Sequence, residues 1–73
     1  MSGQDRDALH ELAHALRTPI AVIQGFAELL LRDDGTLTPQ QRHDYAERIR
    51  TAAGDLREEL DRRIDAAARE QSG

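Results

Sequence analysis

Leu9, Leu16, Ile23 and Leu30 recur every seven residues, a spacing that fits one face of a helix and no strand. Ala13, Ile20 and Ala27 form a second row, and Leu12, Pro19 and Phe26 widen the stripe on one flank. The pattern predicts a helix over about 5–32, after a frayed start at Met1–Gln4 with Ser2 as its N-cap and Asp5 three residues on. A stripe three positions wide suits a four-helix bundle better than the narrow seam of a two-stranded coiled coil. Pro19 sits inside this pattern at an expected cost of roughly 3 kcal/mol, so its presence calls for a local reason.

Asp33-Asp34-Gly35-Thr36 punctuates the pattern, with Gly35 as the left-handed residue that ends the helix. After a connection over 33–38, Thr38-Pro39-Gln40-Gln41 reads as a new start. Thr38 caps, Pro39 occupies the first turn, and Gln41 completes a capping box. The second helix is expected over about 39–69, with Gln71-Ser72-Gly73 as a tail. Its stripe is Ala46, Ile49, Ala53, Leu56, Leu60, Ile64 and Ala67, with Tyr45 and Ala52 beside it. The step from Leu60 to Ile64 breaks the strict alternation. Asp44–Arg48, Glu58–Arg62, Glu59–Arg63 and Asp65–Arg69 repeat an acid four residues before an arginine. These spacings support an exposed helix face and read as a solvated surface.

So short a connection makes the helices antiparallel neighbours. Helices of about 28 and 31 residues span roughly 42 and 46 Å, and a hairpin that thin cannot cover its own stripes. The expected fold is all-α: an antiparallel two-helix hairpin that homodimerises into a four-helix bundle. The 73 residues form a single domain over 1–73. With no cysteine, neither disulfides nor thiolate metal sites contribute. Fourteen acidic residues against ten basic ones, all arginine, leave a net charge of -4 and no electrostatic footprint for nucleic acid. One Tyr and one Phe offer little for base stacking. No apolar run approaches a membrane span and no signal pattern opens the chain, so a cytoplasmic location is expected, including as the cytoplasmic part of a membrane sensor.

Two motifs overlap on the first helix. His10-Glu11-Leu12-Ala13-His14 matches the H-E-x-x-H pattern of zinc proteases. Such a site needs a third ligand and an open coordination position. His43 lies about 20 Å along the hairpin by helix rise, so no metal site is expected. The other motif is His14-Ala15-Leu16-Arg17-Thr18-Pro19-Ile20. Here His14 lies off the core rows and faces solvent. A free imidazole is mostly neutral at pH 7 and keeps a ring nitrogen lone pair for attack on phosphorus. Thr18 is one turn further on the same face, placed to hydrogen-bond a phosphoryl oxygen or a water. Pro19 withholds the N–H that would pair with the Ala15 carbonyl, loosening the reactive turn.

His14, Leu16, Arg17, Thr18 and Pro19, followed in register by Gly25, Phe26, Glu28, Leu29 and Leu30, resemble the phosphoacceptor box of sensor histidine kinases. Tyr45-Ala46-Glu47-Arg48-Ile49 looks like that family's second helix, and the resemblance covers about Leu9 to Arg69. It implies a dimerisation and phosphoacceptor domain that accepts phosphate on His14 and passes it to a response-regulator aspartate. Thr18 would position the phosphoryl group or water, with Arg17 and Pro19 structural at the site. The implied partners are a second copy of the chain, an ATP-binding domain carrying ATP and Mg, and a receiver domain. This chain itself would bind no cofactor. Receiver docking is implied around Ala21, Val22, Gln24, Gly25 and Glu28 and the start of the second helix, with Val22 and Leu29 as an apolar patch. Two departures stand out. Ala15 occupies the position where the family has an acid that activates the histidine, which makes Glu11, one turn before His14, the candidate substitute base. Glu59 and Arg63 stand where the family has leucines, and Arg57 and Arg62 reach the level of His14. The alternative reading is a dimerisation or scaffolding module that keeps the fold without phosphotransfer.

Overall fold

A computed structural model of the chain describes residues 3–72, with side chains over 6–70. Two helices, α1 (Gly3–Leu31) and α2 (Pro39–Ser72), pack side by side as a hairpin measuring 55 × 20 × 10 Å. The expected cap Ser2 lies outside the described residues, as do Gly73 and the Asp5 side chain. Helix α1 begins at Gly3 and stops at Leu31, and it runs unbroken through Pro19. The expected tail is a correction: Gln71 and Ser72 are helical. No breaker follows Arg69, and Ala66-Ala67-Ala68 has the highest helix propensity available, so the helix propagates past it.

The connection is organised by Asp33. One of its carboxylate oxygens accepts hydrogen bonds from the N–H groups of Gly35 at 2.9 Å and Leu37 at 3.2 Å. The other receives the Arg42 guanidinium at 3.2 Å, and the same Arg42 nitrogen donates to the Leu37 carbonyl at 3.0 Å. Gly35 has φ +96°, as its assignment to the left-handed region requires, but it lies inside the loop, four residues beyond the last residue of α1. The hydrogen bonds from Gly35 and Leu37, reinforced by Arg42, hold the Asp33 carboxyl below its ordinary value of 3.8. A depressed folded-state pKa adds stability that is complete above the ordinary value and is lost as pH falls through the folded one. Asp33→Asn should therefore lower Tm at pH 7, with the gap to wild type closing below pH 3.8 in a thermal melt series.

The capping box forms as read. Gln41 N–H donates to Thr38 Oγ1 at 3.0 Å, and Thr38 N–H donates to Gln41 Oε1 at 2.8 Å. Thr38→Ala should cost about 1 kcal/mol in urea unfolding, because one donor of the first turn loses its acceptor.

The helix–helix seam uses only part of each stripe. From α1, the half-buried residues include Leu12, Leu16, Pro19, Ile23, Phe26 and Leu30. From α2 they are Tyr45, Ile49, Leu56, Glu59 and Arg63, with Ala52 the one buried hydrophobic residue among those described. Phe26 meets Tyr45 with ring centroids 5.2 Å apart, and Arg48 lies over the Phe26 ring at 5.6 Å. The α2 seam keeps a strict alternation of four and three residues from Tyr45 to Arg63. Glu59 and Arg63 occupy its last two places while Leu60 and Ile64 drift to the outside. Ala52, placed beside the stripe from sequence, is its most buried member, and Ala53 is exposed.

What remains uncovered is apolar. Leu9 is 62% exposed, Ile20 40%, Leu60 38% and Ile64 62%. With Ala13 and Ala53 they share one side of the hairpin, by helical spacings of four, seven and eleven residues.

Candidate functional site

His14 is exposed on α1, and its side chain has no hydrogen bond or ion pair among the described residues. Thr18 is exposed one turn later, about 6 Å along the axis, and Arg17 is exposed between them. Pro19 follows with its ring half-buried in the seam. Fixed φ at Pro19 and the missing N–H leave the Ala15 carbonyl without its helical donor, within one residue of His14.

Beside this turn runs an open groove of about 810 Å³ between the two helices. Ala15, Thr18, Pro19, Val22 and Phe26 form the α1 wall. The α2 wall carries Asp44, Glu47, Asp55, Glu58 and Glu59, with Arg48 and Arg62 among them. The position that lacks an acid, Ala15, thus opens onto a groove whose opposite wall is rich in carboxylates. That wall was not singled out from sequence. The hairpin register could have revealed most of it, since a turn centred near Gly35 brings residues 15–26 level with about 44–55.

The charged residues in the seam explain how that wall is held. Glu59, with a side chain only 18% exposed, bonds Arg63 at 2.9 Å and Arg62 at 3.0 Å. Arg63 in turn reaches across to Glu11 at 3.9 Å. Of the acid–arginine pairs read from sequence, Glu59–Arg63 therefore forms, within α2 but at the half-buried seam rather than on a solvated face. Arg62 takes Glu59 in place of Glu58, and Arg48 covers Phe26 without an ion pair to Asp44. Glu11 remains largely exposed one turn before His14, so its carboxylate is tethered rather than buried. Arg57 is exposed and outside the groove, whereas Arg62 lines it.

His10 is exposed, and among the described residues it forms no set of three His, Cys, Asp or Glu side chains with His14. Ala21, Gln24, Gly25 and Glu28 are exposed on α1, Leu29 is 47% exposed, and Val22 is half-buried on the groove wall. A Cβ at Gly25 would meet nothing within 4 Å, so packing within the hairpin does not require glycine there.

The family model of the His Kinase A (phospho-acceptor) domain matches residues 4–72. The chain belongs to this family. No curated protein and no solved structure matches it. As the dimerisation and phosphoacceptor domain of a histidine kinase, the hairpin pairs with a second copy. The uncovered apolar side carrying Leu9, Ile20, Leu60 and Ile64 is the face suited to that pairing. Ile20→Glu places a charge on that side in both copies of this phosphoacceptor domain. It should weaken dimerisation by about 3 kcal/mol or more, seen as a shift from dimer to monomer in light scattering. No helix among the described residues is long and apolar enough to cross a membrane.

Proposed function

We propose that His14 is the phosphoacceptor of this domain. The observation that carries this reading is an exposed imidazole, without a hydrogen-bond or ion-pair partner among the described residues, in the turn that precedes Pro19 within the matched segment. A ring nitrogen of His14 attacks the terminal phosphorus of ATP in line, the bond from phosphorus to the ADP oxygen breaks, and the imidazole gives up its proton. ATP and Mg are held by a separate ATP-binding domain, which supplies the charge neutralisation. The described residues here are two helices and their connection. Thr18 lies one turn on, within reach of the phosphoryl oxygens or of a water attacking phosphohistidine. Glu11 stands one turn before His14 as the carboxylate available to take the proton, with Ala15 unable to do so.

The phosphoryl group then passes to the aspartate of a receiver domain, which docks around Ala21, Val22, Gln24, Gly25 and Glu28. The open space over Gly25 and the exposure of its neighbours support an approach there. Use of ATP and a receiver partner places the domain in the cytoplasm. The test is direct. The chain is incubated either with a phosphorylated receiver or with ATP and a histidine-kinase ATP-binding domain. Acid-labile phosphate on the chain supports the reading, and absence of label under both conditions overturns it.

A further inference from the structure

Helix α1 carries a second histidine one turn before His14, and the two share a surrounding pattern. Asp7-x-x-His10 and Glu11-x-x-His14 repeat one acid–histidine spacing four residues apart. At about 100° per residue the four positions fall within an arc of about 100°, on the side of α1 opposite the seam residues Leu12 and Leu16. The helix is unbroken through this stretch, and all four residues are exposed. Neither His10 nor His14 has a side-chain hydrogen bond or ion pair among the described residues. Residues four apart on a helix have Cβ atoms about 5–6 Å from one another. Two imidazoles at that spacing can each bring a nitrogen to about 2.0–2.1 Å from a single zinc ion.

We propose that His10 and His14 form a two-imidazole site for zinc or a related divalent transition ion, which while bound withholds His14 from phosphorylation. The pair falls short of a protease centre, because no third His, Cys, Asp or Glu joins it among the described residues. A reversible site needs only the chelate. Once one ring binds, the second is tethered beside the ion, and water takes the remaining positions. Asp7 and Glu11 each stand one turn before a histidine, the place from which a carboxylate orients a ligating ring. Imidazole suits zinc, nickel and copper, whereas magnesium prefers oxygen donors, so the magnesium that accompanies ATP does not compete. A neutral imidazole has one nitrogen with a free lone pair and one that carries hydrogen. Coordination takes that lone pair, the other nitrogen keeps its proton, and nothing remains on His14 to attack phosphorus. No covalent bond breaks, and release of the ion restores the nucleophile. The inference rests on the phosphoacceptor reading for this consequence alone, since binding needs only the two rings.

Zinc chloride titrated into the full chain, in a buffer that does not chelate, tests the site by calorimetry and by the ring NMR signals of the three histidines. Zinc should move the His10 and His14 signals together and leave those of His43 in place. His10→Gln and His14→Gln should each weaken binding at least about tenfold, because either change leaves a single imidazole. His43→Gln, which removes an exposed histidine on α2, should bind as wild type does. Binding unchanged by His10→Gln or by His14→Gln, or equal binding of magnesium chloride, would overturn the site. For the consequence, phosphorylation from ATP by a separate histidine-kinase ATP-binding domain is measured with and without zinc. With zinc about tenfold above its Kd, labelling of the wild type should slow about tenfold. His10→Gln should slow far less, each chain being compared with its own zinc-free rate. Equal slowing of both would put the effect on the ATP-binding domain and overturn the block at His14. A chain that binds zinc through both rings yet never takes phosphate would uphold the site, remove the block and defeat the phosphoacceptor reading.

Discussion

His14→Gln is expected to abolish phosphorylation of the chain, whether the phosphate comes from ATP or from a phosphorylated receiver. The amide nitrogen of glutamine has no lone pair free for attack on phosphorus, so the loss should be complete rather than partial. Folding should be indifferent to the change. His14 is exposed and has no side-chain partner among the described residues, and substitutions at such positions usually move stability by no more than about 0.5 kcal/mol. Unchanged helicity and unchanged dimer size therefore accompany the expected result. His10→Gln is the internal control, being an exposed histidine one turn earlier on the same helix. Label that persists in His14→Gln and disappears in His10→Gln would transfer the role to His10.

Ala15→Glu is expected to accelerate phosphorylation from ATP by about 100-fold, the lower end of what a positioned general base contributes. Ala15 is half-buried on the groove wall, and the groove facing it is open, so a longer side chain has room to extend. Asp55 and Glu58 across the groove are like charges, which raise the basicity of an added carboxylate. Transfer from a phosphorylated receiver should change little, because the receiver's own aspartate and metal supply that chemistry. Ala15→Gln has nearly the same size and no basicity, and it should leave both rates near wild type. If Gln accelerates as much as Glu, the gain comes from packing and the base assignment fails. In the wild-type chain, Glu11→Gln should slow phosphorylation from ATP, since Glu11 is the nearest carboxylate along the helix, although Arg63 competes for it at 3.9 Å.

Much of this molecule is legible in local sequence because its decisive features are local. A seven-residue apolar repeat, a threonine–glutamine capping box and a glycine at positive φ depend on neighbours within a few residues. The helix and its partner's capping box form as read, and Gly35 takes the positive φ expected of it but inside the loop rather than at the helix end. The turn proposed as the phosphoacceptor is local too, since His14, Thr18 and Pro19 fall within six residues of one helix. The helix end at Ser72 was misjudged because a soft polar sequence after Arg69 contains nothing that stops a helix already propagating.

The charged residues behaved differently. Asp44–Arg48 and Glu58–Arg62 have good spacing for exposed pairs, yet Arg48 and Arg62 took partners supplied by packing, the Phe26 ring and Glu59. Pairs on a helix surface are worth only a few tenths of a kcal/mol, so small tertiary gains redirect them. The same weakness explains Glu59 and Arg63. Their place in the seam follows from the continued alternation through Tyr45, Ile49, Ala52 and Leu56, and there the i,i+4 pair within α2 gains a contact across to Glu11 of α1 through Arg63.

The sequence by itself determined two helices, their connection and the capping box of the second, and it supplied His14 as the candidate phosphoacceptor. Only the tertiary structure decided which flank of each broad apolar stripe the hairpin covers. That choice follows from packing, because one helix can cover only part of a three-position stripe. It leaves Leu9, Ile20, Leu60 and Ile64 on one side and opens a groove with an acidic rim on the other.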